Sequence, residues 1–158
     1  LHPVRILILN DYGFTNGGVE TNLATFRDAL RARGHHVHVF TSSAHPTSGL
    51  PLADSTVFRT TSRYRTLLQT CNPTAPLQLR RTLQQFQPDV IQLNDFLTQL
   101  SPLILPLLRP YPTVLYVQWP RVTCPTGTRT LPNFQPCHAT PGRVCLQSCL
   151  PLRDWPVL

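Results

Sequence analysis

Asn10-Asp11-Tyr12-Gly13-Phe14-Thr15-Asn16-Gly17-Gly18-Val19-Glu20 is the stretch whose reading decides the fold. An apolar run, Val4 to Leu9, precedes it and is broken only by Arg5. A pattern of helical period follows it. Three glycines fall between, and then the one glutamate of the chain. Strand, glycine turn, helix is the opening of a nucleotide-handling α/β domain. A helix reached through glycines has free backbone N–H groups in its first turn, which suit an anion. The spacing is neither the dinucleotide fingerprint nor a P-loop, and the chain contains no lysine.

Working outward, residues 4–9 read as a buried central strand of a parallel sheet. The helix after the turn places Val19, Leu23, Phe26 and Leu30 on one face. Arg31 and Arg33 fall in its last turn, where the helix dipole favours cations, and Gly34 is expected to cap it. His36 to Thr41 alternates as a second strand, which completes a first βαβ unit over residues 4–41. Ser42 to Ser55 reads as a loop, residues 56–60 as a short strand and residues 62–72 as a weak helix. Thr74 is expected to cap a helix with Pro76 in its first turn and Leu79, Leu83 and Phe86 on one face. Residues 89–93 read as another buried strand. Ser101-Pro102 should start a helix that Pro106 shortens, and residues 113–117 form the last clear strand. The predicted class is α/β: a Rossmann-like three-layer parallel sheet with helices on both faces and an irregular Cys-rich C-terminal tail.

The 158 residues suit one domain with a real core. Seventeen prolines, about twice the usual share, point to long irregular connections. The net charge of +7 comes entirely from arginine and reads first as a solvated surface; a diphosphate ligand would also fit it, and no basic run marks a nucleic-acid surface. No apolar stretch approaches the ~20 residues of a membrane span, and a cytoplasmic location is the expectation, with peripheral membrane contact allowed.

In open α/β sheets, ligands bind beyond the carboxyl ends of the strands. That edge is expected to carry Asn10, Asp11, Gly17, Gly18, Glu20, Thr41, Asn94, Asp95 and Gln118. Such short polar groups suit a polyhydroxyl or phosphate ligand; each could equally cap a helix or end a loop. Glu20 has two readings, a ligand contact or a complement to the positive end of its own helix.

Arg5 to Leu9, Gly17-Gly18-Val19-Glu20, Pro88-Asp89-Val90-Ile91 and Cys124-Pro125 together resemble the N-terminal half of a GT-B fold glycosyltransferase of family four. The resemblance implies transfer of a hexosyl-type sugar from a nucleotide-sugar co-substrate to a sugar, lipid or polymer acceptor, with retention and without a catalytic metal. It implies that the Gly17-Gly18 loop approaches the donor diphosphate, and that residues 1–120 form an acceptor-side domain with residues 121–158 as its irregular extension. Catalysis would then need the donor-binding C-terminal domain of the same polypeptide, and the chain alone would be inactive. Members often carry His-x-His-Asn and His-Asp where this chain has Gln92-Leu93-Asn94-Asp95 and Gln118-Trp119. Of these replacements only Asp95 can take up a proton near neutral pH. No catalytic residue is identified. The alternative is a non-catalytic Rossmann-like binding module stabilised by the tail. An oxidoreductase ranks last, because the second strand ends on Thr41-Ser42 and not on an acid.

Cys124, Cys137, Cys145 and Cys149 are spaced C-x12-C-x7-C-x3-C. Four thiolates in an irregular tail could hold one tetrahedral, structural zinc; two disulfides or four unlinked thiols are the competing readings. Cys71 reads as a lone thiol, and His138 as a substitute ligand or a solvent-facing side chain.

Overall fold

The computed structural model describes residues 2–15, 17–43, 49–58 and 71–149. The expected helix over residues 62–72 lies almost wholly outside them. The chain divides into two compact units, Leu1–Tyr116 and Val117–Leu158.

The first unit is built on a five-stranded, all-parallel sheet of order β3-β2-β1-β4-β5. Its strands are β1 (Arg5–Tyr12), β2 (His36–Ser42), β3 (Ser55–Val57), β4 (Val90–Leu93) and β5 (Thr113–Leu115). Between them lie α1 (Gly18–Ala32), α2 (Thr74–Phe86), a 3-10 turn (Pro102–Ile104) and α3 (Leu105–Leu108). The reversal of order at β1, between β2 and β4, makes the carboxyl ends of β1 and β4 the switch point of the sheet.

Side chains of β1 alternate between two cores. Leu7 and Leu9 join Phe40, Leu79, Leu83, Ile91 and Leu100 on one face. Ile8, with Ile6 beside it, joins Leu23, Val39 and Leu52 on the other. The sheet is therefore covered on both faces, as the apolar runs of β1 and β4 imply.

Several expectations are corrected by packing. Strand β1 does not stop at Leu9 but runs on to Tyr12, carrying Asn10 and Asp11 into the buried sheet. Helix α1 turns Glu20, Leu23 and Leu30 inward and leaves Phe26 45% exposed. The neighbouring Arg27 side chain is only 16% exposed, with its Nη1 donating to the Leu52 carbonyl at 3.1 Å. Thr74 is the first residue of α2 and not its cap: the Asn72 side chain accepts from the Thr74 N–H at 3.2 Å and the Thr74 hydroxyl at 2.6 Å. Strand β5 ends at Leu115 rather than 117.

Other expectations hold. Gly34 has φ +85, and the N–H groups of Gly34 and His35 bond to the carbonyls of Arg31 and Leu30, the paired closure that glycine permits at a helix C-terminus. Ser101 caps the 3-10 turn by accepting from the Leu103 N–H, and Pro106 stands in the first turn of a four-residue α3.

The second unit holds a 3-10 turn (Pro120–Val122), an antiparallel bridge between Thr130 and Pro136, and α4 (Arg143–Ser148). Within the tail expected to be irregular there are thus a short hairpin and a helix. The division between the two units falls at 116/117.

Candidate functional site at the carboxyl edge of the sheet

Asn10 and Asp11 are adjacent in β1 and point to opposite faces. Asp11, fully buried, faces the segment after β4. Its Oδ2 accepts from the Thr98 N–H (2.8 Å) and the Thr98 hydroxyl (2.6 Å), and its Oδ1 from the N–H groups of Gln99 and Leu100 (2.8 Å each). Four donors occupy both oxygens. Burial pushes this carboxyl above its ordinary value, against the pull of the four donors. Asp11 therefore ties the 97–100 turn to the end of β1, and its carboxylate has little left to offer a ligand.

Asn10 is also fully buried; its Nδ2 donates to the Tyr12 carbonyl at 2.9 Å. Its Oδ1 has no hydrogen-bond partner among the described residues. On β4, the Gln92 amide donates to Asn94 Oδ1 at 2.9 Å, while Asn94 Nδ2 is buried and without a partner among the described residues. An unmet acceptor and an unmet donor thus end the two central strands. Buried polar groups are seldom left so, because each loses its water without replacement.

Asp95 follows directly and is half-buried. Desolvation, with the negative charges of Asp11 and Glu20 behind it, pushes its carboxyl up to about 6. Glu20 is buried at the start of α1, with Oε2 3.3 Å from where a Cβ on Gly17 would stand. It thus folds back over Gly17, the residue preceding the first helical turn, where a carboxylate complements the free amides. A Cβ on Gly18 would meet nothing within 4 Å, so that side of the helix start is open.

The first part of the glycine loop is closed. Leu52 donates to Gly13, Thr15 donates to Leu50, and Phe14 bridges Pro51. A Cβ on Gly13 would stand 2.5 Å from Thr41 Oγ1 and 3.3 Å from the Ser42 carbonyl. Gly13 therefore answers to packing, Gly17 lies under the Glu20 carboxylate, and Gly18 faces open space. Thr41 is buried against the same packing and its hydroxyl donates to the Ser42 carbonyl.

The structure thus brings Asn10, Asn94, Asp95, Glu20 and Gly17-Gly18 to one edge of the sheet, with Asp11 as its internal tie. Gln118 belongs to the second unit. Reading the strand ends alone missed Gln99, whose buried Oε1 has no partner among the described residues. No motif marks it, since it lies in the connection after the strand end at Asn94-Asp95. Asn72 was missed for a similar reason: the Thr-Ala-Pro sequence beside it is the stronger helix-start signal.

The four tail cysteines and Cys71 are unlinked. Among the described residues, no three His, Cys, Asp or Glu side chains stand together as ligands of a metal ion, and no helix is long and apolar enough to cross a membrane.

Residues 16–131 match the family profile described as Glycosyltransferase Family 4. The match takes in the Gly17-Gly18 turn, Asn94-Asp95 and Cys124. No curated protein matches the chain.

Proposed function

The chain belongs to glycosyltransferase family 4, and from that premise we propose that it is the acceptor-side half of a retaining enzyme of GT-B type. Such an enzyme moves a hexosyl group from a nucleotide-sugar to an acceptor hydroxyl. The observation that carries this reading is the pairing, at the switch point, of unmet polar atoms on Asn10 and Asn94 with the half-buried Asp95. A polyhydroxyl ligand supplies what each lacks: a donor for Asn10 Oδ1, an acceptor for Asn94 Nδ2, and a hydroxyl proton for Asp95 to hold. The open amides at Gly17-Gly18 favour the negative charge of the donor diphosphate as the glycosidic C–O bond to it breaks. No step in this scheme calls for a metal. The donor domain of the same polypeptide completes the cleft, so this chain alone does not turn over. A cytoplasmic site of action, at the membrane periphery for a lipid acceptor, accords with the reading.

The test uses the full-length polypeptide with its nucleotide-sugar. Gly18→Asp sets a carboxylate where the diphosphate is expected and should raise the donor KM at least about tenfold, the effect of roughly 1.4 kcal/mol of lost binding. Asp95→Asn should lower kcat/KM for the acceptor on the order of a hundredfold while sparing donor affinity. Unchanged constants in both variants, with full activity, would overturn the assignment of this edge. Activity from residues 1–158 alone would overturn the need for a second domain.

A further inference from the structure

In the second unit, Thr126-Gly127-Thr128-Arg129-Thr130 runs directly into Leu131-Pro132-Asn133-Phe134. Three hydroxyls are followed by a turn that ends in an aromatic ring. Gly127 has φ +75 and Arg129 φ +54, so the strip is not an extended strand, and the hydroxyls gather. Thr126 Oγ1 lies 3.1 Å from Thr128 Oγ1. The Thr128 hydroxyl donates to the Thr130 carbonyl at 3.4 Å and accepts from the Thr130 N–H at 3.3 Å. The Thr130 hydroxyl donates to the Thr128 carbonyl at 3.0 Å. A hydroxyl has one proton and two lone pairs. Thr130 has given its proton to the backbone, and among the described residues both its lone pairs remain for a further donor.

The turn after the threonines is tied by its own backbone. The Leu131 N–H donates to the Gln135 carbonyl and the Phe134 N–H to the Leu131 carbonyl, each at 2.9 Å, and the Thr130–Pro136 bridge closes the hairpin. Phe134 stands at φ +63, a strained conformation for a residue with a bulky side chain. Its ring is nevertheless 91% exposed. Core packing therefore explains neither the strain nor the placement of this ring, and strain of that kind collects where a side chain is held for contact. The threonines and the turn together line an open cavity of about 370 Å³, with Thr126, Thr128 and Thr130 joined by Leu131, Pro132 and Phe134. Cys149 completes the lining, so among the described residues no charged side chain lines it. The volume falls in the range of small-molecule sites, ~300–1,000 Å³.

We propose that this cavity binds a neutral sugar residue of an oligosaccharide or glycoconjugate. The lining selects by what it lacks and by what it holds. Without a cation it offers nothing to a phosphate or a carboxylate, and without an anion nothing to an amine. A hexose ring has one face of C–H groups and a rim of hydroxyls. The C–H face stacks on the negative face of the Phe134 ring, with Pro132 and Leu131 extending the apolar floor. The rim hydroxyls donate to the open lone pairs of Thr130. A wholly apolar ligand, such as a lipid tail, would strip water from the threonine row and replace none of its hydrogen bonds. The site is built from the second unit alone, and it holds whether or not the sheet edge of the first unit transfers sugar.

The experiment is saturation-transfer NMR of the whole chain mixed with neutral oligosaccharides of glucose, galactose, mannose and N-acetylhexosamines, followed by titration of the best of them. The expected result is transfer strongest to the ring C–H protons of one face of a sugar. Phe134→Ala should weaken binding roughly tenfold, and Phe134→Tyr, which keeps a ring to stack on, should retain it. Thr130→Val, which puts a methyl group in place of the accepting hydroxyl, should weaken it roughly fivefold. Phe134 is exposed, so its replacement should leave the melt of the chain unchanged. Absence of transfer from every sugar overturns the proposal. So does binding that survives both Phe134→Ala and Thr130→Val, which would put the sugar elsewhere. Binding to phosphatidylcholine–phosphatidylglycerol vesicles that Phe134→Ala abolishes, with no sugar bound, overturns it in favour of a lipid surface.

Discussion

At the scale of the residue, the two aspartates at the switch point stand in opposite environments. Asp11 has all four hydrogen bonds satisfied inside the protein. Asp11→Asn would turn an amide toward N–H donors and leave two of them unmet in a dry interior. We expect a loss of about 3 kcal/mol, read in a thermal melt as a Tm lowered by roughly 10 °C. A Tm within error of the parent would mean that the 97–100 turn is held by other contacts. Asp95 is the opposite case. Its carboxyl titrates near 3.9 in the unfolded chain and at about 6 in the fold. Between those values the folded state binds the extra proton, so this group removes stability as the pH rises through the window and no more above it. Asp95→Asn should therefore match the parent in stability below about pH 4 and exceed it above about pH 6, on the values just given. In the full-length enzyme, kcat/KM for the acceptor should fall as pH drops through about 6, where Asp95 becomes protonated and can no longer accept from a hydroxyl. That acid limb should vanish in the Asn variant. A variant that is more stable yet less active is the mark of a group kept for function at the expense of the fold. Equal stability at all pH values would remove the basis for the raised carboxyl.

At the scale of the element, α1 shows what was legible and what was not. Its limits follow from local chemistry: glycines at the start, Gly34 at the end, apolar residues at helical steps between. The Gly34 closure makes a sharp prediction. Gly34→Ala places a Cβ at φ +85 and should cost on the order of 1 kcal/mol, measurable as a shift in denaturant midpoint at unchanged slope. An unaffected midpoint would show that the chain leaves the helix another way. Which face of α1 turns inward was less legible. Phe26 satisfies the helical spacing, yet it stays exposed while the adjacent Arg27 donates to the Leu52 carbonyl. The end of β1 was hidden for the same reason. Asn10, Asp11 and Tyr12 read as a turn because their side chains are polar. They extend the strand because β2 pairs with it as far as Ser42 opposite Tyr12, and because the Asp11 carboxylate finds its donors 87 to 89 residues away. The placement of Asn94-Asp95 at the sheet edge was legible because a buried strand ending in polar residues is unusual at any other place. Gln99 and Asn72 were not, since nothing local distinguishes them from surface residues.

At the scale of the whole molecule, the two units are held by different physics. Among the described residues, every member of the two apolar cores lies between Ile6 and Tyr111, so both cores belong to the first unit. The second has only turns, one bridge and short helical segments among its described residues. A chain ending at Tyr116 should therefore fold. It should show the far-ultraviolet signature of an α/β domain and a single cooperative melt, with Tm within a few degrees of the 158-residue chain, a shift worth roughly 1 kcal/mol for a domain of this size. Its exposed strand β5, with Val114 58% and Leu115 47% exposed already in the longer chain, makes solubility the quantity to watch, since an apolar edge invites pairing between copies. A truncated chain that is monomeric but lacks a cooperative melt would refute the independence of the first unit. A chain that melts cooperatively yet associates would leave the two-unit account standing.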